Sequence, residues 1–216
     1  MSEYLRHLVN YSKVVFWDFD GVIKDSVEVK SIAFEKLFSI YGFKISRKIR
    51  DHHEKNGGVS RFEKIPLYMS WANELVTNES VQKFYNQFSL LVKQSVIDSP
   101  WVPGFLEFIR SNQNKQKHIL VTATPKDEIE EILGKLDIKH FFYKVYGAPV
   151  LKKDAIVIEL SNLAIKPENA IMLGDSSSDY EAAIDNGVLF LLRCTDLNKD
   201  LQKICKDNTF KDFINE

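Results

Sequence analysis

Two cysteines in 216 residues, Cys194 and Cys205, form no CxxC pair and supply no disulfide framework, so reduced thiols are expected for both. Long apolar runs are lacking as well. The longest, such as Val188 to Leu192, reach only about five residues, far short of a membrane-spanning helix. No excess of one charge exists: 29 Lys and Arg stand against 30 Asp and Glu, interspersed along the chain, which speaks against a nucleic-acid or anionic-membrane partner. The opening Met1-Ser2-Glu3-Tyr4-Leu5-Arg6-His7 has no apolar signal-peptide core, and a cytoplasmic location is the expectation. What the chain does have is 44% hydrophobic residues, enough to bury the core of one domain carrying a sizeable insertion.

The stretch that organises the chain is Val14-Val15-Phe16-Trp17-Asp18-Phe19-Asp20-Gly21-Val22. Four apolar residues in succession fit a strand buried on both faces of a parallel sheet, and ligands bind beyond the carboxyl ends of such strands. Alternation along the strand turns Asp18 and Asp20 to one side, and Gly21 permits a sharp turn beside them. Two acids that close repel each other unless a cation lies between them or one holds a proton for a purpose. A solvated turn rich in Asp and Gly is the bland alternative.

Strand signals then vanish for some eighty residues. Ala33, Phe34, Leu37, Phe38 and Tyr41 recur at helical spacing, as do Ile65, Tyr68, Met69, Ala72 and Leu75, and then Val81, Phe84, Tyr85, Phe88, Leu91 and Val92, which predicts an all-helical insertion with these stripes as its core. The polar segment Asp51 to Arg61 reads as a loop between its first two helices. Within it Gly57-Gly58-Val59-Ser60-Arg61 could bring backbone amides and a guanidinium to an anion, or could be a connector with a helix cap at Ser60 and Glu63 three positions on. His52 and His53 make a poor metal pair, being adjacent on a helix and without a third ligand. After Pro100-Trp101-Val102-Pro103-Gly104, strands at His118–Thr122, Phe142–Tyr146, Ala170–Leu173 and Val188–Leu192 alternate with helices at Lys126–Leu136, Asp154–Leu163 and Tyr180–Asp185, and the last twenty or so residues read as a polar, mostly helical tail. The class this implies is α/β: a doubly wound parallel sheet with an inserted all-helical domain.

Three further polar stations fall at the same edge of the sheet. Thr122 ends a buried strand, where its hydroxyl and the following amides, beginning with Ala123, can receive a phosphate oxygen. Lys152 opens a helix, with Lys153 as its rival. Gly174-Asp175-Ser176-Ser177-Ser178-Asp179 follows another buried strand, and carboxylates converging from two strand ends suit Mg²⁺, although Asp179 could instead cap a helix.

In this order and spacing, DxDGV, Thr, Lys and GDSxxD, the chain resembles the haloacid dehalogenase superfamily of phosphotransferases over Lys13 to Arg193. The resemblance implies a Rossmann-like core of residues 1–24 and 101–216 and a helical cap of residues 25–100. It makes Asp18 the nucleophile that forms an aspartyl-phosphate and Asp20 the acid/base. Thr122 would hold the transferring phosphoryl group and Lys152 would offset its charge. Mg²⁺ would be bound by the Asp18 and Asp175 carboxylates and the Asp20 carbonyl, with Asp179 supporting the lysine or the metal shell. A second Asp also argues for phosphate-ester chemistry over halide displacement. Gly57-Gly58-Val59-Ser60-Arg61 is similar to the cap loop of the branch that includes β-phosphoglucomutase and phosphoglycolate phosphatase, where it reaches the part of the substrate that is not transferred, which implies substrate contacts from Ser60 and Arg61, with Arg61 aimed at a second phosphate or a carboxylate. The implied activity is a Mg²⁺-dependent phosphatase acting on a sugar phosphate or phosphorylated acid, with a phosphomutase as the alternative and a monomer as the family default. A binding protein without turnover is disfavoured because every station is intact.

Overall fold

The computed structural model describes residues 1–113 and 115–214. Its centre is a six-stranded, wholly parallel sheet in the order β3-β2-β1-β4-β5-β6. The strands are β1 (Val14–Trp17), β2 (Lys117–Pro125), β3 (Lys144–Ala148), β4 (Ala170–Gly174), β5 (Leu189–Arg193) and β6 (Thr209–Phe210). All four residues of β1 are fully buried, as a strand covered on both faces requires.

Alternation divides the core into two layers. Val15, Trp17, Leu120, Ile171, Leu173 and Leu191 face one side, where helices α1 (Glu3–Tyr11), α6 (Phe105–Asn112) and α7 (Lys126–Lys135) cover them. Val14, Phe16, Ile119, Val121, Met172 and Leu192 face the other, under α8 (Lys152–Asn162), α9 (Ser177–Asp185) and α10 (Lys199–Cys205). Trp17 is the largest side chain in the first layer, and its indole N–H donates to His118 Nδ1 at 3.1 Å. The His118 Nε2–H is thereby left to donate to the Asn112 carbonyl, also at 3.1 Å.

Between β1 and α6 the chain forms the helical insertion: α2 (Val27–Leu37), α3 (Phe43–Lys55), α4 (Arg61–Trp71) and α5 (Asn78–Asp98). Phe34, Phe38, Tyr68 and Phe88 lock it together through stacked and edge-on ring contacts, Phe34 lying 3.9 Å from Phe88 between centroids. Pro66 removes one intrahelical hydrogen bond from α4. The acceptor it leaves, the Phe62 carbonyl, takes the Tyr85 hydroxyl at 3.1 Å instead.

Two expectations change. The polar segment beginning at Asp51 is not all loop, because α3 runs through Lys55. It is helical on a narrow stripe, Ile45, Ile49 and His53 at four-residue spacing, with Arg47–Asp51 and Arg50–Glu54 pairs on its wet side. The tail contributes β6 as well as α10, and its Phe210 and Phe213 bury against one another, Phe213 also against Trp17 and Phe108.

Candidate active site

The carboxyl edge of the sheet and the helical insertion enclose a pocket of about 520 Å³ including its mouth, lined by Asp18, Asp20, Thr122, Ala123, Lys152 and Asp175 from the sheet side and by Lys30, His53, Gly57, Gly58, Arg61 and Phe88 from the insertion. Six of the nine residues assigned roles from the sequence meet there, and a seventh, Arg61, approaches from above.

Asp18 directly follows β1, its amide donating to the Leu173 carbonyl at 2.9 Å. Its side chain is fixed at both oxygens: Oδ1 accepts the Phe19 amide at 2.7 Å, and Oδ2 lies 2.9 Å from Lys152 Nζ. Lys152, not its exposed neighbour Lys153, faces inward, because the first turn of α8 points only one of the two at the sheet. Lys152 also donates to Asp179 Oδ1 at 2.6 Å, and although burial alone would lower its pKa, Asp179 and Asp18 hold it above the ordinary lysine value.

Asp20 sits in a different setting. Ser26 donates to its Oδ1 at 2.6 Å, and Lys30 from α2 pairs with its Oδ2 while donating to Thr124 Oγ1 at 2.8 Å. Burial by itself would raise this carboxyl, yet Lys30 and Ser26 bring it below the usual value. At Asp18 the balance is reversed, burial and then the neighbouring Asp179 pushing its carboxyl up to about 7 against the pull of Lys152.

Asp18, Asp175 and Asp179 each bring an oxygen within 4.8 Å of the others. Burial and the charges of Asp18 and Asp179 drive the Asp175 carboxyl well above its ordinary range. An all-carboxylate set under this much mutual repulsion fits a hard dication such as Mg²⁺. Both oxygens of Asp179 are engaged, Oδ1 by Lys152 and Oδ2 by the Ser176 amide and hydroxyl in the capping box of α9, and both of Asp18 are engaged by the Phe19 amide and Lys152, so among the described residues Asp175 is the one of the three whose carboxylate accepts no hydrogen bond. The Asp20 carboxylate faces Lys30 and lies outside this cluster.

Backbone freedom matters at two positions. Gly21 has φ +76°, and a Cβ there would lie 2.1 Å from Asp175 Oδ2. A Cβ on Gly58 would come within 1.8 Å of Ser178 Oγ and 2.4 Å of Ser176 Oγ, so the insertion loop closes directly on the start of α9 and its N-cap.

Thr122 is buried and lies within β2, not at its end. The strand continues to Pro125, but its pairing with β3 stops at Val121 and resumes only at Pro125. That interruption releases the Thr122–Thr124 backbone toward the pocket, where the Thr124 amide donates to Thr122 Oγ1 at 3.2 Å. Ser60 does not line the pocket, because its hydroxyl caps α4 by accepting the Phe62 amide at 3.3 Å. Arg61 does line it, but already engaged: Glu128 of α7 grips its guanidinium at 2.5 and 2.8 Å, and Nη1 also donates to Ser89 Oγ at 2.7 Å.

Sequence reasoning missed Lys30, Glu128 and the buried pair of His53 and Lys64, which meet at 2.9 Å. The one available signal was position, since Lys30 stands ten residues beyond Asp20 and Glu128 six beyond Thr122. Burial, then the charges of Lys30 and Lys152, push Lys64 down to about 7 from 10.5. Between those values the unfolded chain binds a proton that the folded protein does not, so stability is expected to rise with pH across that window, by at most about 1.4 kcal/mol per pH unit. Urea unfolding at several pH values from 7 to 10 checks this. The slope should flatten in Lys64→Met, and identical slopes in the two proteins would contradict it.

With this geometry in view, three comparisons become informative. The sequence profile of the haloacid dehalogenase-like hydrolases matches residues 15–192. A phosphorylated carbohydrates phosphatase of Thermotoga maritima is 29% identical over 189 residues, 82% of each chain. Phosphoglycolate phosphatase 1 of Pseudomonas aeruginosa is 21% identical over 182 residues, 82% of this chain and 67% of that one. Among solved structures, a β-phosphoglucomutase from Clostridium difficile shares the fold with a TM-score of 0.75 at 21% identity, over 94% of this chain and 92% of the other. A profile that begins inside β1, ends inside β5 and takes in every polar station of the pocket leaves one assignment: the chain is an enzyme of the haloacid dehalogenase-like hydrolase family.

Proposed function

We propose that the chain is a Mg²⁺-dependent phosphatase that hydrolyses a small phosphate monoester, a sugar phosphate or a phosphorylated acid, through an aspartyl-phosphate on Asp18. The observation that carries the reading is the division of labour between two carboxylates one residue apart. Asp18 is oriented by Lys152 and the Phe19 amide, and Asp20 is kept ionised by Lys30 and Ser26. Pairs of acids whose surroundings push their pKa values apart take different chemical roles.

Asp18 and Asp175, with the Asp20 carbonyl, are the groups that would hold Mg²⁺. When bound, the ion offsets the repulsion between a carboxylate and an anionic ester. In the first displacement an Asp18 oxygen bonds to phosphorus while the ester oxygen leaves with a proton that Asp20, ionised at rest, relays from the phosphate monoanion of the substrate. In the second, Asp20 as the base removes a proton from water, whose oxygen displaces the Asp18 carboxylate and yields inorganic phosphate. Lys152 and the Thr122 hydroxyl hold the equatorial oxygens. The helical insertion, as a cap domain, excludes bulk water during both steps. Its relatives' names agree with this class of substrate, one acting on phosphorylated carbohydrates and one on phosphoglycolate. A phosphomutase must also hold a bisphosphorylated intermediate, and nothing in the pocket favours that alternative, because the Arg61 guanidinium is paired with Glu128.

Phosphate release across sugar phosphates, phosphoglycolate and nucleotides, with Mg²⁺ or with a chelator, tests the proposal. Release should concentrate on small monoesters and fall by roughly two orders of magnitude or more when the metal is removed. Turnover undiminished by the chelator would reject the metal-dependent mechanism.

A further inference from the structure

The cations that line the pocket are all already paired. Lys152 is held by Asp18 and Asp179, Lys30 by Asp20, and Arg61 by Glu128. The first two serve the reacting end. Arg61 lines the pocket from the insertion and pairs with none of the reacting carboxylates, and its partner comes from a separate part of the chain: Glu128 lies in the first turn of α7. Both side chains are more than nine-tenths buried, and the contact is bidentate, with Ser89 donating to Glu128 Oε2 at 2.6 Å as a third member. Phe88 lies flat beneath the guanidinium, 4.6 Å from it, and stacks on Phe34, so the wall around the pair is aromatic and uncharged.

A second anionic group on the substrate would therefore meet no free positive charge there. To gain Arg61 it would have to displace Glu128 and leave that carboxylate buried without a counter-charge, which is costly. A hydroxyl group needs no such exchange, because it can accept from the remaining guanidinium N–H groups or hydrogen-bond to His53. Lys64 stands behind His53, tied to its ring and to the Asn56 carbonyl at 2.5 Å, and does not line the pocket.

We propose that Glu128 sets the specificity of this site: by neutralising Arg61 across the pocket it selects phosphate monoesters whose far end is an uncharged polyhydroxyl group, and discriminates against those ending in a second phosphate or a carboxylate. This rests on the phosphatase reading above and narrows it to the sugar-phosphate class.

Calorimetric binding to the full chain carrying Asp18→Asn, with Mg²⁺ present, tests the assignment without turnover. The probes are glucose 6-phosphate and glycerol 2-phosphate, with uncharged ends, and phosphoglycolate and fructose 1,6-bisphosphate, with anionic ends. The uncharged-end esters should bind about tenfold or more tighter, and Glu128→Gln, by freeing Arg61, should close that gap by about tenfold or reverse it. The double variant Arg61→Met with Glu128→Met leaves no unpaired buried charge and serves even if Glu128→Gln does not fold. It should keep the preference of the Glu128 protein. A double variant that loses the anionic-end ligands about tenfold relative to the others would show that Arg61 binds anions despite its partner, and would overturn the inference, as would equal binding of both classes when Glu128 is present. Failure of every ester to bind would reject the phosphatase reading and the inference with it, whereas binding with an unmoved ratio in Glu128→Gln rejects the inference alone.

Discussion

Asp18→Asn is expected to reduce phosphate release by roughly four orders of magnitude or more, to the level of a blank, while leaving the fold intact. An amide nitrogen cannot form the bond to phosphorus, and the amide oxygen is far less nucleophilic than a carboxylate. The change is almost isosteric and keeps an acceptor for the Phe19 amide, so the lost activity would report chemistry and not collapse. It also removes one of four charges crowded into a small volume, and the melting temperature should hold or rise. Acid-quench trapping of phosphoprotein from a fast substrate supplies the second readout. Label in the wild type and none in the variant is the expected pattern, and turnover near the wild-type rate in Asp18→Asn would end the aspartyl-phosphate mechanism.

Lys30→Met should act on the other carboxylate. Lys30 is the largest influence opposing the burial of Asp20, and without it burial dominates and the carboxyl moves up. Water attack requires the base form of Asp20 and belongs to the second displacement, so where that step limits turnover the acid limb of the kcat profile follows this carboxyl to higher pH. Turnover at neutral pH should drop by about a hundredfold and recover in part as the pH is raised. Loss of packing would lower activity equally at all pH values, so the profile separates the two causes. Since Asp20 is held below its ordinary value, its contribution to stability is present above the usual carboxylate range and is lost as pH falls through the lowered value. Lys30→Met removes that contribution too, and acid unfolding should then begin at higher pH.

Much of the core was legible because buried parallel strands announce themselves as unbroken apolar runs. Val14 to Trp17 and Ala170 to Leu173 could hardly have been anything else, and the acids that follow them had to lie at one edge. The choice between Lys152 and Lys153 was open in the sequence and closed by helix phase, which only the docking of α8 on the sheet fixes. Lys30 and Glu128 were illegible for a different reason. A charged residue on an amphipathic helix looks the same whether it meets water or a distant partner, as Lys30 meets Thr124 across 94 residues and Arg61 meets Glu128 across 67. Helix α3 escaped because three residues at four-residue spacing carry its packing and everything between them is polar. At Ser60 the alternative reading, a helix cap, is the one the structure takes, and Arg61 opens that helix. What Arg61 binds there depended on α7, which no local pattern in the loop encodes.

Strand β5 ends in Arg193, a buried residue that does not line the pocket yet holds the Gly21 carbonyl at 3.0 Å and grips Asp25 with both terminal nitrogens. In the loop that follows, the Asn198 amide donates to the carbonyls of Asp175 and Arg193, each at 2.8 Å. The turn after Asp20 and the turn carrying Asp175 are thus bolted to a common bracket, outside the chemistry and set by the register of one strand. The spacing between Asp18 and Asp175 is therefore a manufacturing tolerance of β5, and natural variation in its last residues and the following loop would retune how tightly an ion between them would be held with no change to either carboxylate.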